Sequence, residues 1–394
     1  MRHTDIAIVG GGLAGSVAAA MLGRAGFDAL VIDTDVVHPP DFRCEKLSGP
    51  QIRVLYKTGL ADVVLQAATP IDKLWVARFG RFLHKRSNDQ FGIYYDELVN
   101  VIRGQIASGA EFMRGKVSAV ETSADRQKLT LSDGEQISAR LIVLASGLNN
   151  ALRHTLNIER HDVSPCHSVT IGFDLKPVGQ RQFAFPALTY FPERANDQIA
   201  FLSLFPIGSV MRANFFVYHN SRDPWLRSFR EAPHATLYAV MPGLRRLMPD
   251  FELVSDVKVR PVDLYVTSGY RQPGVVLVGD AFATSCPATG TGAGKVFTDV
   301  ERLCNVHIPR WLATEGMATD KINAFYDDPI KMASDAHSAE RAHYQRSIRM
   351  DSHFTWRLRR SANFVGRMGV CIIREAKQRM SLRSPEQLAE SAKA

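Results

Sequence analysis

Cysteine is scarce and scattered in this chain of 394 residues: Cys44, Cys166, Cys286, Cys304 and Cys371 are odd in number and contain no C-x-x-C pair. That pattern disfavours a disulfide framework, and with no histidine clustered at ligand spacing it disfavours a structural zinc site as well. A reducing compartment, the cytoplasm, is the expectation. Glycine (28) and proline (19) are too few for a low-complexity chain, and 45% hydrophobic with 22% charged residues is ordinary for a soluble globular protein. Excess charge is also missing outside one segment. Residues 331–385 hold twelve Lys/Arg against four Asp/Glu, so the whole net charge of +8 sits there and the other 339 residues sum to zero. No nucleic-acid motif accompanies that segment, and nucleic acid is not an expected partner. Long apolar runs are missing too. Between Asp5 and Arg24 lie only eighteen residues, five of them glycine, with no clear cleavage site, which argues against a membrane span and against a signal peptide.

What is present is enough chain for two or three domains. Thr4–Val9 reads as a buried strand, Gly10–Gly15 as a turn, Leu13–Gly26 as an Ala-rich helix and Phe27–Ile32 as a second strand, which makes a βαβ unit of a parallel sheet. Helical period returns over Gln51–Gln66, with a break at Gly59, and over Tyr94–Ala107; residues 70–93 read as a hairpin. Strands follow at Lys116–Thr122, Lys128–Leu131 and Leu141–Ala145. From Cys166 to Val266 the pattern is β-rich and aromatic (Ser168–Leu175, Gln198–Phe205, Val210–Tyr218), interrupted by one helical stretch, Pro224–Met241. Gly274–Gly279 is again a strand, Gly292–Asn305 a helix, and everything from Arg310 onward is helical. The expected fold is α/β: a Rossmann-like domain with an inserted antiparallel β-sheet domain and a C-terminal helical region. The division is 1–175 and 271–330 for the Rossmann-like domain, 176–270 for the inserted domain (with 70–93 as a candidate member of its sheet) and 331–394 for basic C-terminal helices.

Two motifs carry the chemistry. Gly10-Gly11-Gly12-Leu13-Ala14-Gly15 fits G-x-G-x-x-G between a strand and a helix, and Asp33 closes the next strand eighteen residues beyond Gly15. Gly10 allows the tight turn, Gly12 lets a pyrophosphate approach the backbone at the helix start with Leu13 and Ala14, and Gly15 lets helix and strand pack closely. Asp33 suits a ribose hydroxyl and would repel a 2′-phosphate. The second motif begins at Gly279-Asp280-Ala281 and continues through Pro287, Gly290 and Gly292, with Asp299 twelve positions after the proline.

This second stretch resembles the second flavin motif of the para-hydroxybenzoate hydroxylase-like (class A) FAD monooxygenases. The resemblance spans roughly 4–60, 94–153 and 255–331. It implies FAD as cofactor, Asp280 on the ribitol chain, and the backbone of Gly292, Ala293 and Gly294 facing the pyrimidine edge of the flavin. Arg43 or Lys46 would fill the family's flavin-contacting basic position, and Tyr95 stands where an Arg or Gln touches the ribityl chain. Three departures stand out: Ala145-Ser146-Gly147 replaces the usual Ala-Asp-Gly, Ala283 replaces a histidine, and Gly294 an asparagine. The first leaves the step with NAD(P)H, the family's electron donor, open, with a separate flavin reductase as the alternative. The halogenase signature W-x-W-x-I-P is absent.

The resemblance implies an oxidoreductase that inserts one oxygen atom into an aromatic or polycyclic small molecule through a flavin C4a-hydroperoxide. Alternatives are an FAD oxidase, dehydrogenase or reductase without oxygen insertion, a divergent halogenase, and a non-catalytic flavin-binding partner protein. No catalytic side chain is assigned. Phe201, Ser203 and Phe205 on one strand face, and Arg212, Asn214 and Phe216 on another, are candidate substrate wall, with core packing the favoured reading. His167, Tyr190 and His219 have no motif behind them and read as structural. For the basic tail, 338–380, packing on its own domain is favoured over a membrane surface or an acidic partner. One test follows from the first motif. Purified protein should be yellow and release FAD rather than FMN, and Gly12→Val should be colourless; full flavin retention by that variant would contradict the assignment.

Overall fold

The computed structural model describes residues 1–362 except 44, 108, 180, 181 and 195–197, together with 366 and 369. Cys44, Cys371 and the tail residues Phe364, Arg367, Val370 and Arg374 lie outside the described residues.

The N-terminal unit is β1 (Arg2–Val9), α1 (Leu13–Arg24) and β2 (Ala29–Asp33). Helix α1 is buried along Leu13–Gly23, which explains why it is rich in alanine rather than amphipathic. After β3 (Lys46–Leu47), α2 (Gly49–Lys57) and α3 (Ala61–Ala67) are separated at Gly59, whose φ of +71° suits glycine. The hairpin β4 (Thr69–Arg78) and β5 (Arg81–Gly92) leads to α4 (Tyr95–Arg103). Then come β6 (Ala110–Arg114), β7 (Val117–Glu121), β8 (Gln127–Leu131), β9 (Gln136–Leu144) and α5 (Ala151–Thr155). The middle of the chain supplies β10 (Glu159–Pro177), β11 (Leu188–Tyr190), β12 (Ile199–Ile207) and β13 (Val210–Val217).

The single helix expected over Pro224–Met241 is instead α6 (Pro224–Glu231) and α7 (Pro233–Val240). Pro233 lacks an N–H and pushes the residue before it out of the helical region, and Ala232 accordingly has φ −139° and ψ 68°. Strands β14 (Phe251–Leu253), β15 (Lys258–Ser268) and β16 (Val275–Leu277) precede α8 (Gly292–Arg302). The helix expected to run to Asn305 passes at Leu303 into a π-helical turn before α9 (Ile308–Leu312), since Pro309 cannot donate to the Asn305 carbonyl. Helices α10 (Thr319–Tyr326) and α11 (Pro329–Met350) follow.

Among the described residues the strands form two sheets. The first runs β6-β2-β1-β9-β8-β7, and β16 pairs with β9. Strands β6, β2, β1, β9 and β16 are parallel to their neighbours in that group, while β7 and β8 fold back antiparallel. The second sheet runs β14-β10-β13-β12-β11-β4-β5-β3, with β15 on β10, and is antiparallel apart from β11 on β4. A cut at residue 175 falls inside β10, and the hairpin of residues 69–92 belongs to this second sheet. No helix among the described residues is long and apolar enough to cross a membrane.

Of the basic tail, α11 packs on the body of the protein, while most of residues 351–362 are exposed. Helix α11 buries Lys331, Ser338 and Ala342, and Arg346 donates to the carbonyls of His167 and Cys166. His167 Nε2 meets the Ala342 carbonyl at 3.2 Å and Nδ1 meets Ser164 Oγ at 3.1 Å. Burial first, then the nearby Arg346 charge, pulls His167 down to about 4. The unfolded chain therefore binds the extra proton between about pH 6.5 and 4, and stability should fall as pH drops through that window. His167→Gln should flatten this part of the pH–stability curve in thermal or urea melts; an unchanged slope would mean that His167 does not govern it.

Candidate active site

The two glycine motifs meet because the parallel strands that precede them are aligned. Val9 is paired with Leu144, and Leu144 with Leu277, so the turns that follow β1, β9 and β16 all leave the same edge of the sheet. At the first turn, Gly10 has φ +101°, and a Cβ there would lie 2.6 Å from the Ala145 carbonyl oxygen. A Cβ on Gly15 would lie 1.8 Å from the Gly10 oxygen, so α1 can start this close to β1 only without a side chain. Gly12 differs. Its Cβ would meet nothing nearer than Tyr95 Oη at 3.9 Å, so packing does not require glycine, and the bare helix start is left open to a cavity.

That cavity has a volume of about 900 Å³ and runs from the first motif to the second sheet. Gly10, Gly12, Leu13, Ala14 and Asp33 line one end. Asp280, Pro287, Gly290, Gly292 and Ala293 line the middle, with Arg43 and Lys46 beside them. Gly15 and Gly294 are not on the wall: Gly15 is a packing residue, and a Cβ at Gly294 would point at Gln51 Cγ, 3.3 Å away. Arg43 and Lys46 part company. Arg43 Nη1 donates to Asp280 Oδ2 at 3.0 Å and its guanidinium lies over the Tyr95 ring, whereas Lys46 Nζ reaches Ser203 Oγ at 3.0 Å on the second sheet. Burial pushes the Tyr95 hydroxyl up to about 12, so it stays protonated beside the Leu13 amide.

Several residues of the site left no motif in the sequence. Arg103, on α4, donates to the Gly11 carbonyl from Nε at 3.0 Å and to the Val36 carbonyl from Nη1 at 2.8 Å, holding the glycine turn against the loop after β2. Asp33 accepts from the Gly11 amide and, at 3.0 Å, from the Asp35 amide, with acceptor capacity left over. Gln51 Nε2 donates to the Gly290 carbonyl at 2.9 Å while its oxygen caps α2 at Ser48. A polar residue on a helix predicted only as amphipathic signals such roles weakly. Asp299 is fully buried, accepting from the Gly279 amide at 3.1 Å and from Lys331 Nζ at 3.1 Å, so it anchors the second motif from behind.

The far wall is aromatic. Phe201, Ser203, Phe205, Asn214 and Phe216 all line the cavity, joined by Phe191 and Thr170. Phe201 packs against Phe216 with ring centroids 4.9 Å apart. Arg212 does not reach the cavity; it is locked to Glu45 at 2.8 Å and to Asp174 at 3.1 Å. Tyr190 bonds Glu193 and the Gly80 amide, and His219 bonds Asp223, all away from the cavity. Three buried polar atoms of cavity-lining residues have no partner among the described residues: Thr170 Oγ1, Asn214 Oδ1 and Gln90 Oε1.

A glycine-bared helix start, an acidic residue closing β2 and a second turn with its Asp–Arg pair make a cradle whose donors and shape fit FAD. The protein is an FAD-dependent oxidoreductase. It belongs to the FAD binding domain family of para-hydroxybenzoate hydroxylase-like flavin monooxygenases, which matches residues 3–306. The chain is similar to kynurenine 3-monooxygenase of Dictyostelium discoideum, 27% identical over 77% of this chain and 70% of that protein. It is also similar to 3-demethoxyubiquinol 3-hydroxylase of Escherichia coli, 25% identical over 77% and 80%. In fold it resembles p-nitrophenol 4-monooxygenase of Pseudomonas putida, with a TM-score of 0.73 at 15% identity over 97% of this chain and 98% of that one.

Removing the carboxylate of Asp280 should weaken FAD binding. Loss of one hydrogen bond from an ionised group is worth about 1.5–3 kcal/mol, or about ten- to a hundredfold in affinity. Fluorescence titration of the Asp280→Ala apoprotein measures this; an unchanged dissociation constant would contradict a role in holding the cofactor.

Proposed function

We propose that this protein is an FAD-dependent monooxygenase that inserts one oxygen atom into an aromatic or polycyclic small molecule, with NAD(P)H as electron donor. The observation that carries the reading is that a single cavity is lined both by residues of the two glycine motifs and by the phenylalanine face of the second sheet. FAD, when bound, supplies the redox chemistry and the activation of oxygen, so the chain needs no nucleophile of its own.

Its own residues bind, orient and exclude water. The amides of Gly12, Leu13 and Ala14 start a helix and have no intrahelical carbonyl to meet, so they are donors for the pyrophosphate. Asp33 accepts from the adenosine ribose. Asp280, held by Arg43, accepts from the ribitol chain. The amides of Gly292 and Ala293, which line the cavity, open α8 and favour negative charge at the pyrimidine edge of the flavin. Phe191, Phe201, Phe205 and Phe216 sandwich a flat substrate and keep water out, while Thr170 Oγ1 and Asn214 Oδ1 offer it hydrogen-bond partners.

No further glycine-rich nucleotide motif accompanies these two, so NAD(P)H visits the flavin transiently. Ser146, where relatives of this class carry aspartate, is engaged within its own turn, its hydroxyl donating to the Asn149 carbonyl at 3.3 Å. A cytoplasmic location suits the free thiols of Cys166, Cys286 and Cys304. Anaerobic mixing with NADH or NADPH should bleach the oxidised flavin band, and turnover of a panel of phenols and arylamines under ¹⁸O₂ should add one labelled atom to product. Bleaching only through an added flavin reductase would replace the direct route by a two-component one. Product formation without label would replace oxygen insertion by an oxidase or dehydrogenase reaction.

A further inference from the structure

Strands β12 and β13 present side chains to the cavity in rows set by their antiparallel register. Phe201 is paired with Phe216, Ser203 with Asn214 and Phe205 with Arg212, while Leu202, Leu204, Ala213 and Phe215 pack into the core on the opposite face. One polar pair thus interrupts the aromatic face, one row, or about 7 Å, along the strands from the Phe201–Phe216 contact. Both of its members line the cavity, and both are deeply buried, Ser203 at 1% and Asn214 at 6% exposure. Polar side chains so placed cost free energy unless their hydrogen bonds are completed.

Each member is held by a charged residue, and the two are left with opposite needs. Asn214 donates from its amide to the Glu45 carboxylate, which Arg212 in turn clamps at 2.8 and 2.9 Å. With the NH2 end committed there, Oδ1 is the atom left over, and it has no donor among the described residues. Ser203 is the reverse case. Its Oγ accepts from Lys46 Nζ at 3.0 Å, because an ammonium can only donate, and Ser203 makes no other hydrogen bond among the described residues, so its own proton is still to be given. The pair therefore offers one acceptor and one donor side by side, on directly opposed residues whose Cβ atoms stand about 5 Å apart.

We propose that Ser203 and Asn214 form a two-point reader for one ring substituent that both accepts and gives a hydrogen bond, a hydroxyl bound with its proton on. The ring lies on Phe201 and Phe216. Its hydroxyl oxygen accepts from Ser203 Oγ, and the hydroxyl proton goes to Asn214 Oδ1. An oxyanion would set negative charge against Oδ1 with no hydrogen to offer it, and an ether oxygen would leave Oδ1 unpaired against an alkyl group, so both are selected against. This inference rests on the reading of the cavity as a site for flavin and aromatic substrate together, and adds which substituent the ring carries and which atoms read it.

The probes are 2-naphthol, 2-methoxynaphthalene, which accepts but cannot donate, and 2-methylnaphthalene, which does neither. Each is titrated into the FAD-loaded protein and followed by perturbation of the flavin absorbance. Naphthol should bind about tenfold or more tightly than either of the others. Asn214→Leu should erase that preference while leaving the affinity for 2-methylnaphthalene unchanged, and Ser203→Ala should keep part of it. Equal binding of the three probes by the wild type, or a naphthol preference that survives in Asn214→Leu, overturns the reader and leaves the aromatic cavity standing. An Asn214→Leu protein that melts like the wild-type apoprotein but has lost its FAD overturns it as well, because Oδ1 then serves the cofactor. Absence of any perturbation of the wild type by all three probes overturns both readings.

Discussion

The architecture depends on the register of three parallel strands. With Val9, Leu144 and Leu277 in one row, the chain leaves the sheet three times at the same edge. At the carboxyl ends of parallel strands the backbone turns away and leaves a crevice, which is where ligands of such sheets bind. Slip any of these strands by one residue and the buried Val, Ile and Leu of one face would turn to the other. The glycine turn, the Ser146 turn and the Asp280 turn would then no longer face one another. The Arg43–Asp280 contact, across 237 positions of sequence, is a consequence of that register.

The electrostatics of the site follow from how this edge is covered. Behind the second turn, Lys295, Asp299 and Lys331 are buried and, with the half-buried Asp335, form a cluster of two cations and two anions. Opposite charges hold Asp299 below the usual carboxylate range in spite of its burial. Such a cluster costs desolvation and repays it only when every member is present, so it specifies how α11 docks more than it adds stability. On the other wall the single charge of Arg212 is shared by Glu45 and Asp174 beneath the aromatic face, and burial raises Glu45 even so.

Much of this was legible in the sequence because glycine and proline leave local signatures. The turn at Gly10–Gly15 and the Pro287–Gly292 run are short, context-bound patterns whose steric reasons are local. The βαβ unit, the split at Gly59 and the hairpin over residues 69–92 were legible for the same reason. Strand β6 was not, since its edge position leaves Ala110–Arg114 without a buried alternation. The start of β10, with Pro165 and its register shifts between Asp162 and Ser168, reads as loop. Arg103, Gln51 and Lys331 could not be found because each acts through a contact at long sequence separation. Arg341 was visible only as one charge in a basic segment; that it lines the cavity is a property of how α11 docks.

On the reading proposed above, one cavity holds FAD and a flat aromatic substrate side by side. The sharpest check is a crystal structure of the purified, FAD-loaded protein soaked with a phenol or arylamine. The pyrophosphate should lie at the amides of Gly12–Ala14, the flavin beside the start of α8, and the aromatic ring against Phe201 and Phe216. Density for the ring outside this cavity, or a flavin that fills the space in front of the phenylalanine wall, would contradict it.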